Sequence, residues 1–241
     1  VAGMKLKELM DAGTVTDPKI GYVGAFPFAE VISGFTSFFL GARSQCPSVT
    51  MEVRYTNSWG DMALEKETAE ALIADGCVLI SQHADTTGAP SACEAAGVPC
   101  VGYNISMLPV APNTALTSAA GDWGAYVTYA VKCLIDGEEI ARDWCKGYAE
   151  GAVYTTELND SIVAPGTAEK VAELEEAFKA GTVKVFDTST FTVNGETLTS
   201  YTTAYGLEGI EMVSDGEFHE SSVRSAPYFD ILIDGITAVV E

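Results

Sequence analysis

Between Lys19 and Asp136 short β-forming runs alternate with stretches of helical periodicity, and this alternation restricts the fold more than any other feature of the chain. Lys19–Val23, Met51–Tyr55, Val78–Ser81, Cys100–Tyr103 and Ala115–Ser118 read as strands. Ala29–Gln45 carries Val31, Ile32, Phe35, Phe38, Phe39 and Ala42 at helical spacing, and Met62–Asp75, Ala89–Ala96 and Trp123–Asp136 read as further helices. Asp61 is placed to cap the second of these, and Gly97 and Gly137 to stop the last two. Val78-Leu79-Ile80-Ser81 lacks polar alternation, which is the pattern of a strand covered on both faces. Strand–helix repetition with short connections predicts an α/β fold: a parallel sheet flanked by helices.

The last hundred residues are different in character. Ala152–Thr156 reads as a strand and Thr167–Ala180 as a helix, with Thr167 as cap and Gly181 as stop. Val183–Tyr201 is rich in Thr and centred on Asn194-Gly195, a hairpin signal. Tyr228–Val240 is an apolar segment interrupted by Asp230, Asp234 and Gly235.

Composition narrows the partners. Of 241 residues, 13 are Lys or Arg and 34 are Asp or Glu, a net charge of −21 that repels phosphate backbones and anionic lipid heads. Nucleic acid is therefore not an expected partner. No apolar run approaches the roughly 18 residues a membrane helix needs. The chain starts at Val1 without a basic-then-apolar leader, which suggests a processed protein or a piece of a longer one. Cys46, Cys77, Cys93, Cys100, Cys133 and Cys145 contain no C-x-x-C pair, so buried free thiols are the simplest reading. A Cys93–Cys100 or Cys133–Cys145 disulfide stays open.

In open parallel sheets, ligands bind beyond the carboxyl ends of the strands. That rule selects residues 24–28, 57–61, 82–88, 104–107 and 119–123. These loops hold Phe26, Phe28, Trp59 and Trp123 together with Asn57, Gln82, His83, Asp85, Asn104 and Asp122, and none has a Lys or Arg. Neither a G-x-G-x-x-G nor a G-x-x-x-x-G-K loop is present, so no nucleotide cofactor, and no cofactor of any kind, is implied. Aromatic faces with neutral and acidic acceptors suit a flat, uncharged or weakly cationic heterocycle. Phe26, Trp59, His83, Asp85, Asn104 and Trp123 are thus the candidate ligand-binding residues. Each has a structural alternative: Trp59 could cap the sheet edge, Trp123 could pack in the core, Asp122 could cap a helix and Phe26 could anchor the turn at Pro27. His83 and Asp85 could form an acid–base pair, but no nucleophile accompanies them, so the chain is not expected to be an enzyme.

Five stretches in order, Lys19–Pro27, Asn57–Asp61 with Glu67–Gly76, Gln82–Thr86, Val101–Ile105 and Gly121–Tyr126, resemble the basic membrane protein family, the purine-binding lipoproteins of bacterial ABC importers. The resemblance covers roughly residues 3–205. It implies a periplasmic-binding-protein type I fold of two lobes with ligand held between them. It also implies an extracytoplasmic, lipid-anchored protein, importer membrane subunits as partners, and a chain that lacks the first part of its first lobe. Residues 1–18 would be a crossing helix and hinge, 19–140 the second lobe, and 141–241 a return to the incomplete first lobe, whose exposed apolar surface could drive self-association. An extracellular sensing domain of a receptor with the same fold is the alternative. Nucleoside binders of the family carry an Asp where this chain has Asn104, and a basic residue that Thr117-Ser118-Ala119-Ala120-Gly121 lacks. Both departures lean toward a free nucleobase or another small ligand.

Overall fold

The computed structural model describes residues 1–204, 207 and 209–239. A helix, α1 (Ala2–Asp11), precedes the alternating part: β1 (Lys19–Gly24), α2 (Ala29–Gln45), β2 (Thr50–Tyr55), α3 (Met62–Ala74), β3 (Leu79–His83), α4 (Gly88–Ala96), β4 (Cys100–Tyr103) and β5 (Ala115–Gly121). There follow α5 (Trp123–Asp136), β6 (Val153–Thr155), α6 (Thr167–Lys179), β7 (Val213–Ser214), β8 (Glu217–Phe218) and β9 (Ile236–Val239).

The main sheet has the order β6-β5-β4-β3-β1-β2-β9. Every pairing is parallel except β5 with β6, where Gly121 lies opposite Val153. After β1 the chain steps outward to β2, then crosses back to β3 and continues through β4 and β5. The gap between β1 and β3 is therefore the switch point where a ligand cleft is expected. Along β1 and β3 successive side chains enter opposite cores. Ile20, Tyr22 and Leu79 enter one core with α2, and Val23 and Ile80 enter the other with Leu72 of α3 and Cys93 of α4. This two-sided burial explains the continuous apolar runs.

Helix ends follow local chemistry. Asp61 accepts from the Ala63 and Leu64 amides at 3.1 Å each, and Asp122 accepts from the Gly124 amide at 2.7 Å. Thr167 is not the cap of α6 as expected. Gly166 holds that position with φ 82°, and the Thr167 hydroxyl donates to the Ala164 carbonyl at 2.6 Å. β5 runs three residues past the expected Ser118, because Ala119, Ala120 and Gly121 pair with β6.

The part of the chain past residue 145 occupies both edges of this sheet, through β6 and β9. The hairpin expected around Asn194-Gly195 is reduced to its turn. Asn194 (φ 52°) and Gly195 (φ 82°) are left-handed, and Val193 and Glu196 exchange backbone hydrogen bonds at 2.9 and 3.1 Å. No ladder follows, because the Thr192 carbonyl accepts from the Asp234 amide at 2.9 Å instead of from a partner strand. The second turn of this kind, Asp215-Gly216 (φ 51° and 73°), joins β7 to β8. Val240, the end of the expected apolar segment, lies outside the described residues. All six cysteines are free thiols, five of them buried and Cys145 exposed.

α5 stands apart. Cys133 is its one buried residue, while Val127, Val131, Leu134 and Ile135 are exposed. This helix precedes residue 141, so its apolar face is not the one expected of residues 141–241. No described helix is long and apolar enough to cross a membrane.

Candidate functional site

A cavity of about 660 Å³ opens at the carboxyl ends of β3, β4 and β5. Trp59, His83, Asp85, Asn104 and Trp123 line it, along with Glu30, Ser33, Gly34, Ser37, Tyr103 and Ile105. Five of the six candidate residues therefore meet at one place. Phe26 does not line it. Its ring stacks on Phe28 at 5.0 Å and leans on Trp59 at 5.6 Å, so it backs the indole from behind.

The aromatic wall runs from Trp59 through His83 to Tyr103, with ring centroids 6.1 and 4.4 Å apart. His83 ends β3, and Gly34 of α2 makes room for it: a Cβ on Gly34 would sit 2.5 Å from His83 Nδ1. That nitrogen is buried without a partner. Burial lowers the imidazole pKa to about 4, so the ring is neutral at neutral pH. Burial, with help from Asp85 and Glu30, raises the Tyr103 hydroxyl, which keeps its proton and remains a donor.

Opposite the rings, Asn104 Nδ2 donates to Asp85 Oδ1 at 3.0 Å, and the Asp85 amide donates to the Trp59 carbonyl at 2.8 Å. Asn104 sits at φ 67°, a left-handed position that Asn tolerates better than most residues. The amide nitrogen is committed to Asp85, so Asn104 Oδ1 and Asp85 Oδ2 are left to accept hydrogen bonds from a ligand. The charged groups on this wall are the carboxylates Glu30 and Asp85, with no Lys or Arg among the described lining residues. An anionic ligand is disfavoured on that account. Asp85 partners Asn104 and not His83, so the acid–base pair considered from the sequence does not form.

Trp123 is 77% exposed and lines the cavity at the start of α5, so it is not a core residue. Asp122 caps α5, the structural alternative for that position. A neighbouring cavity of about 850 Å³ shares Glu30, Tyr103, Asn104 and Trp123 and continues to Tyr126, Arg142, Trp144 and Lys146. Tyr103 and Glu30 were missed from sequence. Tyr103 could have been found as the last residue of a strand whose carboxyl end faces the cleft. Glu30 lies in the first turn of a helix and carries no such signal.

A family model for ABC transporter substrate-binding proteins, PnrA-like, matches residues 11–186. The chain belongs to this family. A purine-binding protein of Brucella abortus is 35% identical over 167 residues, covering 69% of this chain and 47% of the relative. A Haloferax volcanii protein named for glucose binding by an ABC transporter is 32% identical over 200 residues, covering 83% of this chain and 51% of the relative. The chain spans about half the length of the curated relatives it matches. An ABC transporter solute-binding protein of Aeropyrum pernix K1 superposes with a TM-score of 0.64 at 18% identity, covering 77% of this chain and 61% of that one. This likeness establishes the fold as that of the periplasmic-binding type, as the family resemblance implied.

Proposed function

We propose that this PnrA-like chain forms the ligand-binding part of an extracytoplasmic component of an ABC importer, and that it takes a purine-type nucleobase or nucleoside. The observation that carries the reading is the wall of Trp59, His83 and Tyr103 set against the Asp85–Asn104 pair. A flat heterocycle stacks on the rings, and its N–H groups or sugar hydroxyls donate to Asp85 and Asn104. Stacking contributes about 1–3 kcal/mol per base. The lack of a cation on this wall argues against a nucleotide. The purine-binding relative supports the class. The glucose-named relative defines the competing ligand, since an indole face with carboxylate acceptors also suits a sugar.

In this reading the cleft is one wall of a two-lobed site. The sheet from β1 to β5, with β6 and β9 at its edges, forms one lobe, and α5 faces the other. Importer membrane subunits are the partners, a lipid anchor holds the full-length protein at the membrane, and the chain binds without turnover. In isolation the exposed face of α5 favours self-association.

Calorimetry of adenine, adenosine and glucose on the full-length protein tests the ligand class. Trp59→Ala is expected to weaken purine binding about ten- to a hundredfold. Asn104→Asp is expected to favour adenosine over adenine by supplying a carboxylate for the ribose. Unchanged affinity in Trp59→Ala, tight binding of a nucleotide, or binding of glucose alone would overturn the reading.

A further inference from the structure

Glu65, in the first turn of α3, is a fully buried carboxylate that does not line the cavity. Its Oε2 accepts from the Thr86 hydroxyl at 2.7 Å and from the Thr86 amide at 3.2 Å. The same hydroxyl accepts from the Gly88 amide at 3.1 Å. α3 and α4 meet closely here, since a Cβ on Gly88 would lie 2.4 Å from the Met62 carbonyl oxygen and 2.9 Å from the Glu65 Cβ. From the sheet side, Gln82 is 2% exposed and donates its amide hydrogens to the carbonyls of Ala84 at 2.8 Å and Thr86 at 2.9 Å. Two buried side chains thus grip the residues on either side of Asp85. Asp85 itself is tied to the Trp59 carbonyl and to Asn104.

This arrangement is costly. Glu65 Oε1 and Gln82 Oε1 are both buried without a partner, and an acceptor left so loses its hydration without replacement. A well-packed apolar side chain at position 65 would be cheaper if stability were the only demand. Burial raises the Glu65 carboxyl above the ordinary range, with Asp85 and Asp61 adding to the rise and the Thr86 bonds opposing it. A carboxylate here is therefore retained against both desolvation and like charge.

We infer that Glu65, with Gln82 as its counterpart, is a positioning residue that fixes Asp85 against Trp59 and so sets the binding geometry of the cleft. It acts through Thr86 and touches no ligand. The inference rests on the reading of the cleft as a binding site, but its first test does not depend on any ligand.

Glu65→Gln keeps the size and a carbonyl oxygen that can accept from Thr86, whereas Glu65→Leu removes the acceptor. Amide exchange of the ligand-free full-length protein should be near wild type at Asp85 and Thr86 in Glu65→Gln. It should be about tenfold faster there in Glu65→Leu, with the later turns of α3 unchanged. Adenosine affinity should follow, within about twofold of wild type for Glu65→Gln and about tenfold weaker for Glu65→Leu. Adding Glu65→Leu to Asp85→Ala should cause no further loss, because the two act on one contact. Wild-type exchange at Asp85 and Thr86 in Glu65→Leu, or an undiminished affinity loss in the Asp85→Ala background, would overturn the inference. If Glu65→Leu does not fold, Thr86→Val removes the shared hydroxyl and is expected to give the same local exchange change. If wild type fails to bind adenosine, the ligand class falls while the exchange experiment still decides the role of Glu65.

Discussion

Between Lys19 and Gly121 the chain forms five strands and three helices, whereas the described residues between Gly181 and Gly235 form two strands of two residues each. Yet the second stretch buries Phe186, Phe191, Met212, Phe218, Tyr228, Phe229 and Ile233 in the same core as Tyr22, Phe35 and Phe39. What differs is how backbone polar groups are satisfied. In the sheet they pair with one another. In the C-terminal stretch, isolated backbone pairs such as Phe218 with Phe186 and Met212 with Tyr201 are supplemented by side chains. Asp234 accepts from the Thr192 hydroxyl at 2.5 Å and from the amides of Asn194 and Gly195 at 3.1 and 2.8 Å. Glu211 accepts from the Ser200 hydroxyl at 2.6 Å and from the amides of Tyr201 and Val213 at 2.8 and 2.9 Å. The Tyr228 hydroxyl bridges the amide and carbonyl of Ala204 at 2.9 Å each. Regular secondary structure is therefore one way of meeting the hydrogen-bond demand of the backbone, and carboxylate clamps at the surface of an aromatic cluster, joined to isolated backbone pairs, are another.

The sharpest test of this comparison is Phe229→Ala. Its ring packs 4.5 Å from Phe186 and 4.7 Å from Phe218 and is fully buried, so truncation is expected to cost about 3–5 kcal/mol in urea unfolding. A loss below about 1 kcal/mol would show that the C-terminal stretch is not part of the cooperative unit. Ile80→Val, on the other face of the sheet, should cost only about 0.5–1.5 kcal/mol.

Acid should reach the two regions in sequence. His83 has a folded pKa of about 4, below its ordinary 6.5, so the folded state binds fewer protons there than the unfolded state. Its contribution is complete above pH 6.5 and is lost as pH falls toward 4, by up to about 3 kcal/mol. Urea midpoints measured across that window should fall in wild type and fall less in His83→Gln.

A smaller effect is expected at Gly195, where φ is 82° and a Cβ would meet nothing within 4 Å. Gly195→Ala should cost about 1 kcal/mol from backbone strain alone. An unchanged thermal midpoint would mean that the turn is not held in its left-handed form. The smallest global effect belongs to Glu211. Its three hydrogen bonds depress its pKa to about 2, so the clamp holds above the ordinary carboxylate range and is released as pH falls toward 2, later than His83 titrates. Glu211→Gln should loosen the amides of Tyr201 and Val213, seen in their exchange rates, while the unfolding midpoint hardly moves.

Legibility divides along the same line. β1 to β5 and the three helices between them stand within a few residues of where their apolar runs predict them, because each is specified by its own period and caps. Asp61 and Asp122 announce their helices in the same way. The cleft follows from a rule about strand ends, which brought Trp59, His83, Asp85, Asn104 and Trp123 to one cavity. β9 is a different case. Ile236 pairs with Met51, far away in sequence, and nothing local in Ile236–Val239 names that partner. The Asn194-Gly195 turn was visible but its absent ladder was not, since the outcome depends on Asp234 reaching Thr192 from forty residues downstream. Phe26 shows a related limit: position in a loop does not say which side of Trp59 a ring will take.

The antiparallel pairing of β5 with β6 gives the region between them an unusual freedom. Gly121 faces Val153, and the Asp122 amide donates to the Ala152 carbonyl at 2.8 Å, so residues 122–152 leave the sheet and return to it at one spot. In the vocabulary of chain grafting, α5 and the segment after it form a cassette whose two attachment points are already stitched together. Excising it and closing the gap with a short turn would leave each parallel ladder intact. Exchanging it for another module of twice the length would add only about 0.6 kcal/mol of closure entropy. The wall carrying Trp123 can therefore be replaced as a unit, with the sheet and the Trp59 side of the cleft left in place.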